Sequence, residues 1–132
     1  MNNSDLAKFL TTLNVARKGY FKSTIVQNSR LVLLLVEILN DYGIIRGYYI
    51  NKNNDNKIKV FFKFREGSPI IFEIKQISKE SKRVYVNLIE LYKLKNKCGK
   101  VFYILTTPKG IMSDEECLRQ QTGGEVLLKV VL

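Results

Sequence analysis

The feature that most constrains this chain is a change in the spacing of its apolar residues. Leu6, Phe9, Leu10 and Leu13 fall at i, i+3, i+4 and i+7, one stripe of an amphipathic helix. Leu31, Leu34, Leu35, Ile38 and Tyr42 line one side of a second helix. By Ile58 the period has become two: Ile58, Val60, Phe62 and Phe64 alternate with Lys57, Lys59 and Lys63, which sends apolar and charged side chains to opposite faces of a strand. A helical stripe and a half-buried strand must each cover one face with another element, so a chain carrying both is held to layered packing. Ser4 is expected to cap the first helix and Ser29 the second, with Gly43 just past the second helix end. Strands are expected at Lys22–Gln27, Ile44–Ile50 and Lys57–Arg65, the last two joined by the loop Asn51–Asn56. The order helix, strand, helix, strand, strand predicts an α+β unit with its helices on one face of a sheet.

Glu66-Gly67-Ser68-Pro69 is the clearest punctuation, and a domain boundary is expected there, giving residues 1–67 and 68–132. In the second part, strands are expected at Ile70–Ile77, Arg83–Asn87, Val101–Leu105 and Glu125–Val131. Tyr92–Lys100 reads as a cationic loop ending at Gly99, and Ser113 as the cap of a short acidic helix beginning Asp114-Glu115-Glu116. The fold class is therefore α+β, two small α/β domains of which the second is mostly β. No internal repeat or long low-complexity segment is visible.

Charge selects the partner. The chain has 22 Lys and Arg against 12 Asp and Glu, a formal charge of +10, which favours polyanions, nucleic acid or anionic lipid. The balance is 11 basic to 5 acidic (+6) over residues 1–67 and 11 to 7 (+4) over 68–132, so an RNA surface can draw on both. Lys, Asn, Ile, Phe and Tyr make up 54 of 132 residues while Ala appears twice, the residue usage of an AT-rich genome, which also inflates lysine.

Several classes are disfavoured. With no histidine, the commonest general acid–base group and every Ser/His or Cys/His pair are missing. Cys98 and Cys117 suggest neither a zinc set nor a disulfide framework, so no metal or other cofactor is expected and a reducing compartment is. Glu73 with Glu90, or Asp114 with its two neighbours, are the only acidic groupings an enzyme would have, and the latter reads as first-turn charge on a helix. The apolar run from Leu31 is broken by Glu37, and Met1–Phe9 lacks the order of a signal peptide, so no membrane role is expected.

Three segments can carry binding. Thr106-Thr107-Pro108-Lys109-Gly110, expected between a strand and a helix, presents hydroxyls, amides and a lysine on one turn, without the glycine–lysine order of a P-loop. Thr122-Gly123-Gly124-Glu125 has two glycines that permit positive φ and close approach of RNA backbone. Tyr85 follows Lys82 and Arg83, a ring for base stacking beside cations. Each also has a plain structural reading, as a turn, a turn and a core tyrosine. On the first helix, Lys8, Thr11, Asn14, Arg17 and Lys18 form a polar face that suits phosphates or water.

The stretch ILTTPKGIM at 104–112, then Ser113-Asp114 and TGGEVL at 122–127, resembles the C-terminal signature of bacterial-type small-subunit ribosomal protein eight. The likeness extends back through IKQISKESKRVY at 74–85 to DLAKFLTTLNVARKGY at the start. The resemblance implies two α+β domains and a non-catalytic protein that binds small-subunit rRNA in the central domain during assembly, beside neighbouring small-subunit proteins. It implies main RNA contacts from Thr106, Thr107, Lys109, Tyr85, Gly123, Gly124 and Glu125, with Lys82 and Arg83 adjoining. Auxiliary contacts are implied around Thr11, Asn14, Arg17, Ser29 and Arg30. Two departures stand out: Pro108 replaces a hydroxyl residue and removes a donor, and Glu80-Ser81 stands where Pro-Gly is usual. With the AT-rich composition, this drift suits an organelle-encoded mitochondrial copy, with plastid or bacterial cytoplasm as alternatives. The competing functions are a freestanding regulatory RNA binder, using the same surface, and a small nucleotide hydrolase or transferase, which the absent catalytic groups disfavour.

Overall fold

The computed structural model describes residues 3–51, 56–97 and 100–132, with the side chains of 3, 96 and 97 left out. Most of the Asn51–Asn56 loop, Cys98 and Gly99 lie outside the described residues. The chain forms two compact units, residues 1–72 and 73–132, both mixing helices with antiparallel sheet.

In the first unit, α1 (Asn3–Lys18) buries Leu6, Phe9, Leu10 and Leu13, the stripe read from the sequence, and Ala16 one turn on. The helix already contains Ser4, which is therefore not its cap. Asp5 in the first turn and Arg17 and Lys18 in the last complement the helix dipole. After β1 (Ser23–Gln27), α2 (Arg30–Asp41) starts where Ser29 Oγ accepts the Val32 amide at 3.2 Å. It ends in a two-bond cap: the Gly43 amide reaches Asn40 O, the Ile44 amide reaches Leu39 O, and Gly43 takes φ +68°. Only glycine holds that backbone without strain.

Then β2 (Ile45–Asn51) and β3 (Lys57–Phe62) complete a sheet of order β1-β3-β2. Its inner face carries Val26, Ile58 and Val60, buried under α1 and α2, while the other face holds Ile25, Lys59 and Tyr49 in solvent. The strand expected at Lys57–Arg65 breaks at Lys63. Beyond it β4 (Phe64–Arg65) pairs with β5 (Ser68–Pro69) across Glu66 and Gly67, both at positive φ. That is the demand of a tight type I′ hairpin. The Glu66–Pro69 punctuation is thus a hairpin tip of the first unit, and the units part between Phe72 and Glu73.

The second unit comprises β6 (Glu73–Gln76), β7 (Tyr85–Val86), α3 (Leu88–Lys97), β8 (Val101–Thr107), β9 (Gly110–Ser113), α4 (Asp114–Arg119) and β10 (Gly124–Val131). The sheet order is β6-β10-β8-β9, and β7 pairs the start of β10. Strands 70–77 and 83–87 are shorter than expected. Tyr92–Lys100 is not a loop but, through Lys97, the second half of α3. Lysine is a good helix former, and Asn87 and Glu90 build a reciprocal capping box: Asn87 Oδ1 accepts the Glu90 amide at 2.8 Å, and Glu90 Oε1 accepts the Asn87 amide at 3.2 Å. Leu91 from α3 joins Leu105, Met112, Cys117 and Val126 in the core.

Asp114 ties this unit together. Its carboxylate is fully buried, accepts the Tyr103 amide of β8 at 3.1 Å and the Glu115 amide at 2.7 Å, and lies 3.2 Å from Lys95 Nζ of α3. One side chain thereby joins β8, α3 and α4. Ser113 Oγ caps α4 through the Glu116 amide, as expected. Burial pushes the Cys117 thiol up to about 11, the charges of Asp114 and Glu116 adding to the effect, so it stays protonated at neutral pH. Asp114→Ala removes the acceptor for a buried backbone amide and strands Lys95, and should cost about 3 kcal/mol in urea unfolding. Asp114→Asn, which keeps a carbonyl for the Tyr103 amide, should cost less.

Candidate RNA interface

Three strands and a hairpin arm bring four residues into one row. Register pairs Tyr85 of β7 with Glu125 of β10, Glu125 with Thr106 of β8, and Thr106 with Ile111 of β9. Directly paired residues share a face. Their neighbours Leu105, Met112 and Val126 point the other way, into the core with α3 and α4. The row therefore lies on the sheet face opposite those helices.

Tyr85 is 66% exposed, so it is not the core tyrosine of the structural reading. Glu125 beside it is buried, and its carboxylate holds Arg83 Nη1 at 3.1 Å. The hydrogen bond to Glu125, and then its charge, hold the Arg83 guanidinium above its ordinary value. Glu125 thus acts on this face by fixing Arg83, and Arg83 carries a charge already partly balanced. Lys82 and Lys109 are exposed.

The turn that bears Lys82 is narrow. Lys79 and Lys82 exchange backbone hydrogen bonds of 2.8 and 3.0 Å across Glu80-Ser81. Ser78, buried, clamps its far side, its Oγ accepting the Val84 amide and donating to Val84 O. Sequence reasoning missed Ser78, Lys95 and Asp114 as organisers of the unit. The Asn-x-x-Glu spacing at Asn87 was the available signal for α3, but nothing in the sequence marks the bonds of Ser78.

The hydroxyl turn is the bend of a β hairpin between β8 and β9, not a link from strand to helix, and its two threonines differ. Thr107 is buried, donates to Gly110 O at 2.8 Å and accepts the Lys109 amide at 3.1 Å. Its hydroxyl is used inside the turn and is not presented outward. Thr106 Oγ1 is buried and has no hydrogen-bond partner among the described residues. Pro108, Lys109 and Gly110 form the exposed tip.

The paired glycines also serve a different purpose from the one expected. Neither takes positive φ; among the described residues the glycines that do are Gly43, Gly67 and Gly110. A Cβ on Gly123 would sit 2.4 Å from Val86 O, and one on Gly124 would sit 2.3 Å from Thr106 O. The missing Cβ atoms let β7 and β8 close on β10, within this chain.

In the first unit, Thr11 is exposed on α1, and Asn14 is half-buried with its own contact. The Arg17 guanidinium lies 6.0 Å from the Phe72 ring centroid. Ser29 Oγ is occupied as a helix cap, and Arg30 is exposed at the first position of α2. Among the described residues no group of three Cys, Asp or Glu is arranged to hold a metal, and no helix is long and apolar enough to cross a membrane.

An α+β chain this basic, with an exposed tyrosine among cations on a sheet face, has the make-up of a polyanion-binding protein. Residues 4–131 match the family model described as Ribosomal protein S8. Two proteins named small ribosomal subunit protein uS8 are similar nearly end to end. That of Hyphomonas neptunium is 36% identical over 132 residues, covering 98% of this chain and 99% of the relative. That of Rhodospirillum centenum is 35% identical over 133 residues, with the same coverage. The chain belongs to the ribosomal protein S8 family, a structural and non-enzymatic one.

The two threonines should separate in stability tests on the free protein. Thr107→Val breaks two internal bonds and should lose about 1 to 3 kcal/mol in urea unfolding, whereas Thr106→Val, which removes an unpaired hydroxyl, should leave stability unchanged or raise it.

Proposed function

We propose that this protein is a structural constituent of the small ribosomal subunit that binds its rRNA, within the central domain, through the outer face of the second unit's sheet. Tyr85 stacks on an unpaired base, while Lys82, Lys109 and Arg83 meet phosphates. Thr106 gives a hydroxyl to the RNA after a χ1 rotation to another staggered rotamer carries its Oγ1 outward. Gly123, Gly124, Glu125 and Thr107 set the geometry rather than touch the ligand. The first unit adds auxiliary contacts through Thr11, Arg17 and Arg30, with Asn14 and Ser29 beside them. Neighbouring small-subunit proteins complete the setting.

The observation that carries this reading is the Thr106 hydroxyl, unpartnered in the row that also exposes Tyr85. Leaving such a group unsatisfied costs about 1 to 3 kcal/mol, which an RNA partner would recover. Membership of the S8 family supports the rRNA assignment, since the relatives carry the small subunit in their names. The AT-rich residue usage and the altered turns at Glu80-Ser81 and Pro108 support placement in a mitochondrial ribosome; the bacterial relatives are equally compatible with a bacterial one.

Filter binding to small-subunit rRNA fragments, measured against a scrambled duplex across a salt series, tests the assignment. Tyr85→Ala and Thr106→Val should each weaken the specific complex by about 1 to 3 kcal/mol with little change in salt slope. Lys109→Ala and Lys82→Ala should weaken both complexes and flatten the slope by about 0.7 to 0.9 each. Unchanged specific affinity in Tyr85→Ala and Thr106→Val together would refute it.

A further inference from the structure

The outer face of the first unit's three-stranded sheet is built unlike an ordinary solvated face. Register places Ser23, Phe61 and Gly47 in one row and Ile25, Lys59 and Tyr49 in the next, all on the side away from α1 and α2. Phe61 is thus flanked across the strands by two of the smallest residues, and an added Cβ on Gly47 would meet nothing within 4 Å. The ring is half-buried, with its remaining exposed part between them. Arg46, displaced by the bulge before Gly47, has its guanidinium 5.6 Å from the Phe61 centroid, and Lys59 Nζ is 5.3 Å from it. Tyr49 in the adjacent row is 61% exposed.

Charge on this face has one sign. The strands Ser23–Gln27, Ile45–Asn51 and Lys57–Phe62 contain Arg46, Lys57 and Lys59 and no Asp or Glu. Beside Phe61 a cleft lined by Tyr20, Lys22, Arg46 and Lys63 adds two more cations and a second exposed ring. A protein interface of apolar type would not place unbalanced cations at its centre, because charged residues are depleted there. Exposed tyrosines and a half-buried phenylalanine among cations, on strands without carboxylates, suit single-stranded nucleic acid: π-faces for successive bases and positive charge along the backbone.

We infer that the outer face of this sheet is a second RNA site, taking an unpaired, single-stranded segment with Phe61 and Tyr49 as the stacking surfaces and Arg46, Lys57 and Lys59 on its phosphates. The inference extends the proposed rRNA binding to a different RNA form and a different part of the chain. It uses none of the residues assigned to the second unit's face. Recognition here is tolerant of sequence, since every base has a π-face.

The test uses the full-length protein and a labelled single-stranded RNA of about eight nucleotides without self-complementarity, within the usual span for such sites. Tyr49→Ala and Phe61→Leu should each lower its affinity about five- to a hundredfold, the loss expected for one stacked base. Phe61→Leu keeps an apolar side chain, and circular dichroism of both variants establishes that the sheet is intact. Thr106→Val should leave oligonucleotide binding within twofold, and ultraviolet cross-links should map to peptides containing Tyr49 or Phe61. Loss of specific rRNA binding in Thr106→Val, with oligonucleotide binding retained, would support the two sites as separate. If rRNA binding proves insensitive to Thr106 and Tyr85 but the oligonucleotide still depends on Tyr49, the proposed rRNA face fails and this site stands. Unchanged oligonucleotide affinity in folded Tyr49→Ala and Phe61→Leu overturns the inference, as do cross-links confined to residues 73–132. So does loss in these variants of co-sedimentation with small-subunit proteins stripped of RNA, which would make the face a protein contact.

Discussion

A Cβ on Gly124 would lie 2.3 Å from Thr106 O, and one on Gly123 2.4 Å from Val86 O. The close approach of β10 to β8 on one side and to β7 on the other rests on those two missing atoms. It puts Tyr85, Glu125 and Thr106 in register, and with them the buried carboxylate that fixes Arg83. Without it the aromatic ring, the paired cation and the unpartnered hydroxyl would not share a row. The constraint acts through the chain's own backbone, so in the proposed rRNA site the glycines shape the face and do not touch the RNA.

Buried carboxylates organise the second unit, and free cations are left for its surface. Asp114 joins β8, α3 and α4 by accepting two backbone amides and pairing with Lys95. Glu125 does a smaller version of this work for Arg83. Lysines without such partners, such as Lys82 and Lys109, are held only by their backbone and can follow a phosphate, which is how a sequence-independent electrostatic contact behaves. The rigid polar framework and the unpaired charge thus fall on different residues, which in the proposed rRNA site separates what positions the RNA from what attracts it.

Much of the first unit could be read from the sequence because its signals are local. The stripe Leu6–Leu13, the Ser29 cap and the Gly43 terminator each depend on residues a few positions apart, and the structure places all three as expected. Ser4 falls just inside its helix, and the Lys57–Arg65 strand breaks at Lys63, because the Glu66–Gly67 hairpin depends on a pairing that alternation does not encode. In the second unit, lysine content masked α3, although Asn87 and Glu90 carried the capping spacing that would have revealed it. For the site, residue type was legible and role was not. Tyr85 and Lys109 are exposed, but Thr107 and Ser29 spend their hydroxyls on their own turns, and Glu125 is turned toward Arg83. Which of two adjacent threonines is satisfied depends on where the hairpin tip closes, a fact of three-dimensional register.

The most direct test of the central claim is amide and side-chain chemical-shift mapping of the full-length protein as a small-subunit rRNA fragment is added. If the outer sheet face of the second unit is the main RNA surface, shifts should be largest at Lys82, Arg83, Tyr85, Thr106 and Lys109, and small at Leu91 and Cys117 in the core behind it. Shifts that left those five residues unmoved, while concentrating on α3, α4 or the first unit alone, would contradict the account.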